Sequence, residues 1–158
     1  EMPGKGELPR VYAVRMAAEN AGAPAADHAG SLLLAADTVV AAGRRILPKP
    51  DEEDEAKRCL ELLSRRRHRV SSAVTLIDGE GTARHRLSQT IHAFKPLTAS
   101  EIEAYLDSGE WRGKAGGYAI QGRAEAWVRF LSGSHSGVVG LPLFETRALL
   151  AAAGYPLG

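Results

Sequence analysis

The sequence predicts an α/β domain, and three observations carry that prediction. Residues 32–40 read Leu-Leu-Leu-Ala-Ala-Asp-Thr-Val-Val, an apolar run bounded by Gly30-Ser31 and Ala42-Gly43, which is the pattern of a buried strand. Helical spacings lie on either side of it, at residues 8–19 and 51–63. Two further strand patterns, 70–77 and 82–94, surround the turn Asp78-Gly79-Glu80-Gly81.

The elements follow in order. Pro3, Gly4 and Gly6 make residues 1–7 a loop, and Pro9 suits the first turn of a helix. Leu8, Val11, Tyr12, Arg15, Ala18 and Glu19 share helical spacing, and that helix is expected to end near Gly22. After the first strand, Ala42-Gly43-Arg44-Arg45 predicts a hairpin turn into Ile46-Leu47. The next helix is expected from Asp51 as its cap, with Glu52, Glu53 and Asp54 favouring its positive end. Ala56, Cys59, Leu60 and Leu63 form its inward stripe, which makes Cys59 a packing residue. The basic run Arg65–Arg69 reads as cations at that helix's C-terminus; no aromatics interleave it as a nucleic-acid surface would require. Thr98-Ala99-Ser100-Glu101 is a capping box for a helix with Ile102, Tyr105 and Leu106 inward, closed by Gly109. Residues 124–131 are expected to be a strand. Gly140-Leu141-Pro142 opens the final helix, which runs to Ala153 and ends at Gly154.

Composition narrows the function classes. The 158 residues suffice for one domain with a core, and 44% hydrophobic and 25% charged residues are ordinary for a globular chain. A net charge of +1 argues for neither a nucleic-acid nor a membrane-surface partner. A lone Cys59 excludes an intramolecular disulfide and a cysteine-based zinc site, and fits a reducing cytoplasm. No apolar run approaches the length of about 18 residues that a membrane helix needs, and no secretory signal is visible.

Three stretches carry chemistry. Asp37 sits inside an apolar run, where an ionised carboxylate costs on the order of several kcal/mol unless it is paired, hydrogen-bonded or metal-bound. It is therefore expected where the strand leaves the core and meets a site; the plainer alternative is a turn or capping Asp. Lys49 stands between Pro48 and Pro50, whose rings hold it in extended backbone. It can meet a phosphate as a point charge, or be an ordinary loop lysine. In residues 113–122, Gly113, Gly116, Gly117 and Gly122 let backbone approach a ligand. Lys114 adds a cation there, and Gln121 adds an amide able to read a nucleobase edge. No GxxxxGK[ST] pattern is present, so this is not a P-loop. The alternative is a plain glycine loop.

Taken in order, Ala36-Asp37-Thr38, Lys49-Pro50, residues 114–122 and residues 133–143 resemble the Maf family, the septum-formation-inhibitor-like nucleoside triphosphate pyrophosphatases. The resemblance spans nearly the whole chain. It implies an elongated α/β fold, related to the inosine triphosphatases, with a central mixed twisted sheet flanked by helices. It also implies hydrolysis of a nucleoside triphosphate to the monophosphate and pyrophosphate, with Mg²⁺ or Mn²⁺ as cofactor. Asp-Thr in the first motif and Ile-Gln-Gly in the second resemble the dTTP/UTP branch. On that resemblance Asp37 is the catalytic proton acceptor, Thr38 and Gln121 are specificity residues, and Lys49 and Lys114 face phosphate. Asp37 as a metal ligand is equally open. The implied partners are the nucleotide and, as an assembly, a homodimer; the alternative function is a nucleotide-binding regulator of cell division with little catalysis. A bland interaction domain is the third reading.

The departures are specific. The family's Ser-x-Ser-Pro-Arg-Arg phosphate loop and the strand before it do not occur within 1–158, so a single domain lacking them is expected. Glu1 resembles an acidic residue that follows that loop. Asn20 stands where lysine is usual, and His135 and Gly137 where Tyr and Asn are usual.

Overall fold

The structure is a computed structural model and describes residues 2–158; the expectation for Glu1 lies outside the described residues. Its centre is a five-stranded sheet in the order β2-β1-β3-β4-β5. These strands are β1 (Leu33–Ala42), β2 (Arg45–Ile46), β3 (Arg67–Ile77), β4 (Ala83–Phe94) and β5 (Val128–Ser132). The helices are α1 (Pro9–Gly22), α2 (Glu53–Leu63), α3 (Ala99–Ser108), α4 (His135–Val139) and α5 (Leu143–Ala152). The layered α/β architecture expected from the sequence is thus the one formed. Every strand pairing among the described residues is antiparallel, not mixed as the resemblance implied, because β3 and β4 form a long hairpin and β1 runs alongside it.

β1 and β3 pair along nearly their whole length, from Leu33↔Ile77 to Ala41↔Arg69. On its other side β1 meets β2 only through Ala41↔Ile46 and Ala42↔Arg45, extended by Leu47 N–H to Val40 O. Residues 33–39 therefore form a free sheet edge among the described residues.

Successive strand side chains face opposite sides. Val39 and Ala73 meet Ala13 and Ala17 of α1 on one face. Val40 and Val70 meet α2, α3 and the rings of Phe94, Trp111, Tyr118 and Trp127 on the other, where Val74 and Leu76 also pack on Leu149 of α5. The buried side of α1 is Ala13, Met16, Ala17 and Ala21, not the stripe through Leu8, Val11 and Ala18; Val11 is exposed. Alanines carry little pattern but let the helix lie close against the sheet.

Four local expectations are corrected. Asp51 does not cap α2. The cap position is Glu52 and has no side-chain bond, because Pro48 and Pro50 carry the chain extended past Asp51 while their carbonyls accept from Gly116 and Gly113. Arg67–Arg69 do not end a helix. The chain reverses at Arg65 (φ 68°), and Arg67 opens β3, with His68 buried between exposed Arg67 and Arg69. Residues 123–127 form a 3₁₀ turn, so β5 starts only at Val128. The polar loop after it contains α4, capped by the Ser134 side chain, which accepts from Gly137 N–H. The capping box of α3 forms as expected, and Gly109 closes that helix at φ 70°. No described helix is long and apolar enough to cross a membrane.

Candidate active site

Asp37 and Thr38 are adjacent in β1 and face opposite sides of the sheet. Asp37 lies on the α1 side and is 8% exposed. Its Oδ1 accepts from Lys49 Nζ at 2.7 Å, which supplies the partner that a buried carboxylate needs. Lys49 reaches it because the proline loop is knitted to the glycine loop: Gly116 N–H donates to Pro48 O at 2.9 Å and Gly113 N–H to Pro50 O at 3.0 Å. The Lys49 side chain is half exposed, so its ammonium remains accessible to an incoming anion.

The glycine loop is seated by close contacts. Gly116 has φ 70°, and a Cβ on it would lie 2.8 Å from Val40 Cγ1. Only glycine fits that approach without strain. Gly117, at φ 76°, lies against Ala56 and Cys59 of α2. Behind the loop, the Tyr118 hydroxyl sits between two buried histidines, 2.8 Å from His68 Nε2 and 2.9 Å from His92 Nδ1. His68 and His92 are directly opposite in the β3–β4 ladder. Burial pushes the His68 pKa down to about 3 and the His92 pKa down to about 4, so both rings are neutral near pH 7. Burial also raises the Tyr118 phenol, which keeps its proton. A phenol has one proton to give, so one ring accepts it and the other donates to the oxygen.

A cavity of about 220 Å³ opens at this junction. Asp37, Thr38, Lys49, Lys114 and Gln121, all singled out from the sequence, line it together with Val40, Ile120 and Val138. A second cavity of about 490 Å³ lies toward α1 and includes Tyr12, Met16 and Val39. The two share Asp37, Thr38, Lys49 and Ala115, so they meet across β1 at its free edge. Such a site can hold a flat polar ring on the Thr38–Gln121 side and place negative charge between Lys49 and Lys114. Asp37 stands at the meeting point.

The described residues contain no group of three His, Cys, Asp or Glu side chains able to hold a metal. Asp37 is a single carboxylate, and Mg²⁺ is commonly bound by one or two carboxylates plus substrate phosphates. The donor set therefore suits an ion that arrives with a phosphorylated ligand.

Ser72 and the His68–Tyr118–His92 group escape a reading by motif. Ser72 is 1% exposed in β3. Its hydroxyl lies 2.8 Å from Thr38 Oγ1, from which it accepts, and it donates its one proton to the Gly137 carbonyl. The available signal was Ser71-Ser72 inside the apolar run 70–77, since hydroxyls buried in a strand need partners.

Comparison with known proteins identifies the family. The model of the Maf-like protein family matches residues 1–153. A dTTP/UTP pyrophosphatase of Novosphingobium aromaticivorans is 64% identical over 98% of this chain and 77% of its own length. A dTTP/UTP pyrophosphatase of Sphingopyxis alaskensis is 61% identical over 100% of the chain and 83% of its own length. A third, from Zymomonas mobilis, is 57% identical over 99% of the chain and 78% of its own length. With a family match over nearly its whole length and relatives this similar, the chain belongs to the Maf family.

Proposed function

We propose that this protein is a nucleoside triphosphate pyrophosphatase that hydrolyses dTTP and UTP to the monophosphate and pyrophosphate. The observation that carries the reading is the single cavity lined by Asp37, Thr38, Lys49, Lys114 and Gln121. The shared name of the relatives supports the substrate class.

The chemistry follows from charge. Water attacks the α-phosphorus, the bond to the bridging α–β oxygen breaks, and pyrophosphate leaves with that oxygen. Asp37 orients the water and accepts its proton. Lys49 and Lys114 stabilise the charge that develops on the phosphates. The Asp37–Lys49 contact holds the carboxylate in place. A divalent cation brought in on the substrate's own phosphate oxygens would offset part of the triphosphate charge; holding it through Asp37 is the alternative to Asp37 as the base. The Gln121 amide and the Thr38 hydroxyl meet the base.

A homodimer would cover Leu143 and Phe144, which are 60% and 82% exposed close after the cavity residues Val138 and Val139. The unpaired Cys59 thiol fits a reducing compartment such as the cytoplasm.

Pyrophosphate release across dTTP, UTP, CTP, GTP and ATP, with Mg²⁺ or Mn²⁺, tests the reading. Turnover led by dTTP and UTP is expected. Nucleotide binding without turnover would instead favour a regulatory role in cell division.

A further inference from the structure

We infer that Ser72 is a positioning residue for base choice: by taking the Thr38 hydroxyl proton, it makes Thr38 a hydrogen-bond acceptor toward the nucleobase. The inference deepens the proposed function and rests on it for the identity of the substrate.

The argument is a proton count. A serine hydroxyl has one proton and accepts through its oxygen. Ser72 Oγ donates that proton to the Gly137 carbonyl, which can only accept. The 2.8 Å contact between Ser72 Oγ and Thr38 Oγ1 must then run from Thr38 to Ser72. Thr38 has no second proton. What it presents to the cavity is lone pairs alone.

The carbonyl at the end of this relay is fixed. Gly137 is buried in α4, and its N–H donates to Ser134 Oγ at 2.9 Å. Ser134 N–H in turn donates to Thr90 Oγ1 at 2.9 Å on β4. Ser72 itself is held opposite Thr38 in the β1–β3 ladder and opposite Ser88 in the β3–β4 ladder. The relay cannot rotate to reverse its direction without leaving the buried Gly137 carbonyl unpaired, which disfavours the reversed arrangement.

The consequence concerns uracil and thymine against cytosine. Gln121 carries a donor and an acceptor on one amide, so a flip lets it match either edge. Thr38 has no such freedom. Its lone pairs suit the N3–H of uracil or thymine and oppose the N3 lone pair of cytosine. Ser72, which lines neither cavity, thereby sets the choice that Gln121 leaves open.

The test compares Ser72→Ala with the unmodified protein. kcat/KM is measured for UTP and CTP, and affinity for their α,β-methylene analogues is measured with Mg²⁺. Ser72→Ala frees the Thr38 proton, and the UTP-to-CTP ratio should fall by about tenfold in both measurements. Thr38→Ser, which keeps the relay, should keep the ratio, and Thr38→Val should lose it. Ser72→Ala added to Thr38→Val should change the ratio no further. A merely structural Ser72 would lower melting temperature and activity toward both nucleotides alike; an unchanged ratio overturns the inference. Should Ser72→Ala not fold, a ratio retained in Thr38→Val overturns it equally. Analogue affinities that follow this pattern without any turnover would sustain the inference and sink the pyrophosphatase reading. A protein that binds both analogues alike would sink the inference itself.

Discussion

Lys49 Nζ lies 2.7 Å from Asp37 Oδ1, so the one carboxylate among the described residues lining the smaller cavity has a cation beside it. The pair lets each partner be tested separately. Asp37→Asn keeps volume and hydrogen-bonding shape but cannot take a proton from water. Turnover should fall by about 10²-fold or more, with melting temperature little changed. Near-normal turnover would remove Asp37 from the chemistry. Lys49→Met keeps the side-chain length and removes the charge; KM for UTP should rise by about tenfold or more. An unchanged KM would leave Lys49 as a partner of Asp37 only.

Gln121 is exposed at the cavity mouth, carried by the loop whose Tyr118 is pinned between two histidines. Gln121→Ala removes an amide that can bond uracil or thymine at two atoms. KM for UTP and dTTP should rise, and the preference over CTP and GTP should narrow. Kinetics on the four nucleotides give the readout. An unchanged ranking with lowered thermal stability would return Gln121 to tying down the glycine loop.

The sequence and the structure agree most where one residue has one reason to be there. Asp37 in an apolar run needs a partner, and Lys49 between two prolines was free to be one. Gly109 and the Thr98–Glu101 box punctuate α3 as local rules require. Agreement fails where the determinant is distant. α1 hides alanines that have no amphipathic signature, because their role is closeness to the sheet. Arg67–Arg69 look like a helix end until His68 is seen buried against His92 and Tyr118. The Ser72 relay joins three segments, and no spacing in the chain announces it.

Gly116 tests how the glycine loop is seated. Its φ of 70° and its contact with Val40 leave no room for a side chain. Gly116→Ala should destabilise the fold by about 1–3 kcal/mol through backbone strain and the displaced Val40. Because the same residue donates to Pro48 O, the loop carrying Lys49 should shift as well. Chemical denaturation together with KM for UTP reads both effects. A variant of unchanged stability and KM would contradict the tight seating.

The buried histidines predict how stability depends on acid. His68 and His92 are neutral in the fold, with pKa values pushed down by burial to about 3 and about 4 from the ordinary 6.5. Below pH 6.5 the unfolded chain binds protons that the folded chain refuses. Stability is therefore full above pH 6.5 and falls as pH drops toward the folded values. The carboxylates with lowered pKa, Glu7, Asp78 and Glu101, contribute in the same direction, but only below their own ordinary values of 4.5, 3.8 and 4.5. The window from pH 6.5 to 4.5 thus isolates the histidine pair among these shifted groups. His68→Gln replaces the titrating ring with an amide that can still meet the Tyr118 hydroxyl. At pH 7.5 the variant should be somewhat less stable than the parent. Between pH 6.5 and 4.5 its stability should fall less steeply, by up to about 1.4 kcal/mol per pH unit, the full effect of one excluded proton. Urea denaturation at four or five pH values measures both slopes, and parallel slopes would mean that His68 takes up its proton without unfolding the site.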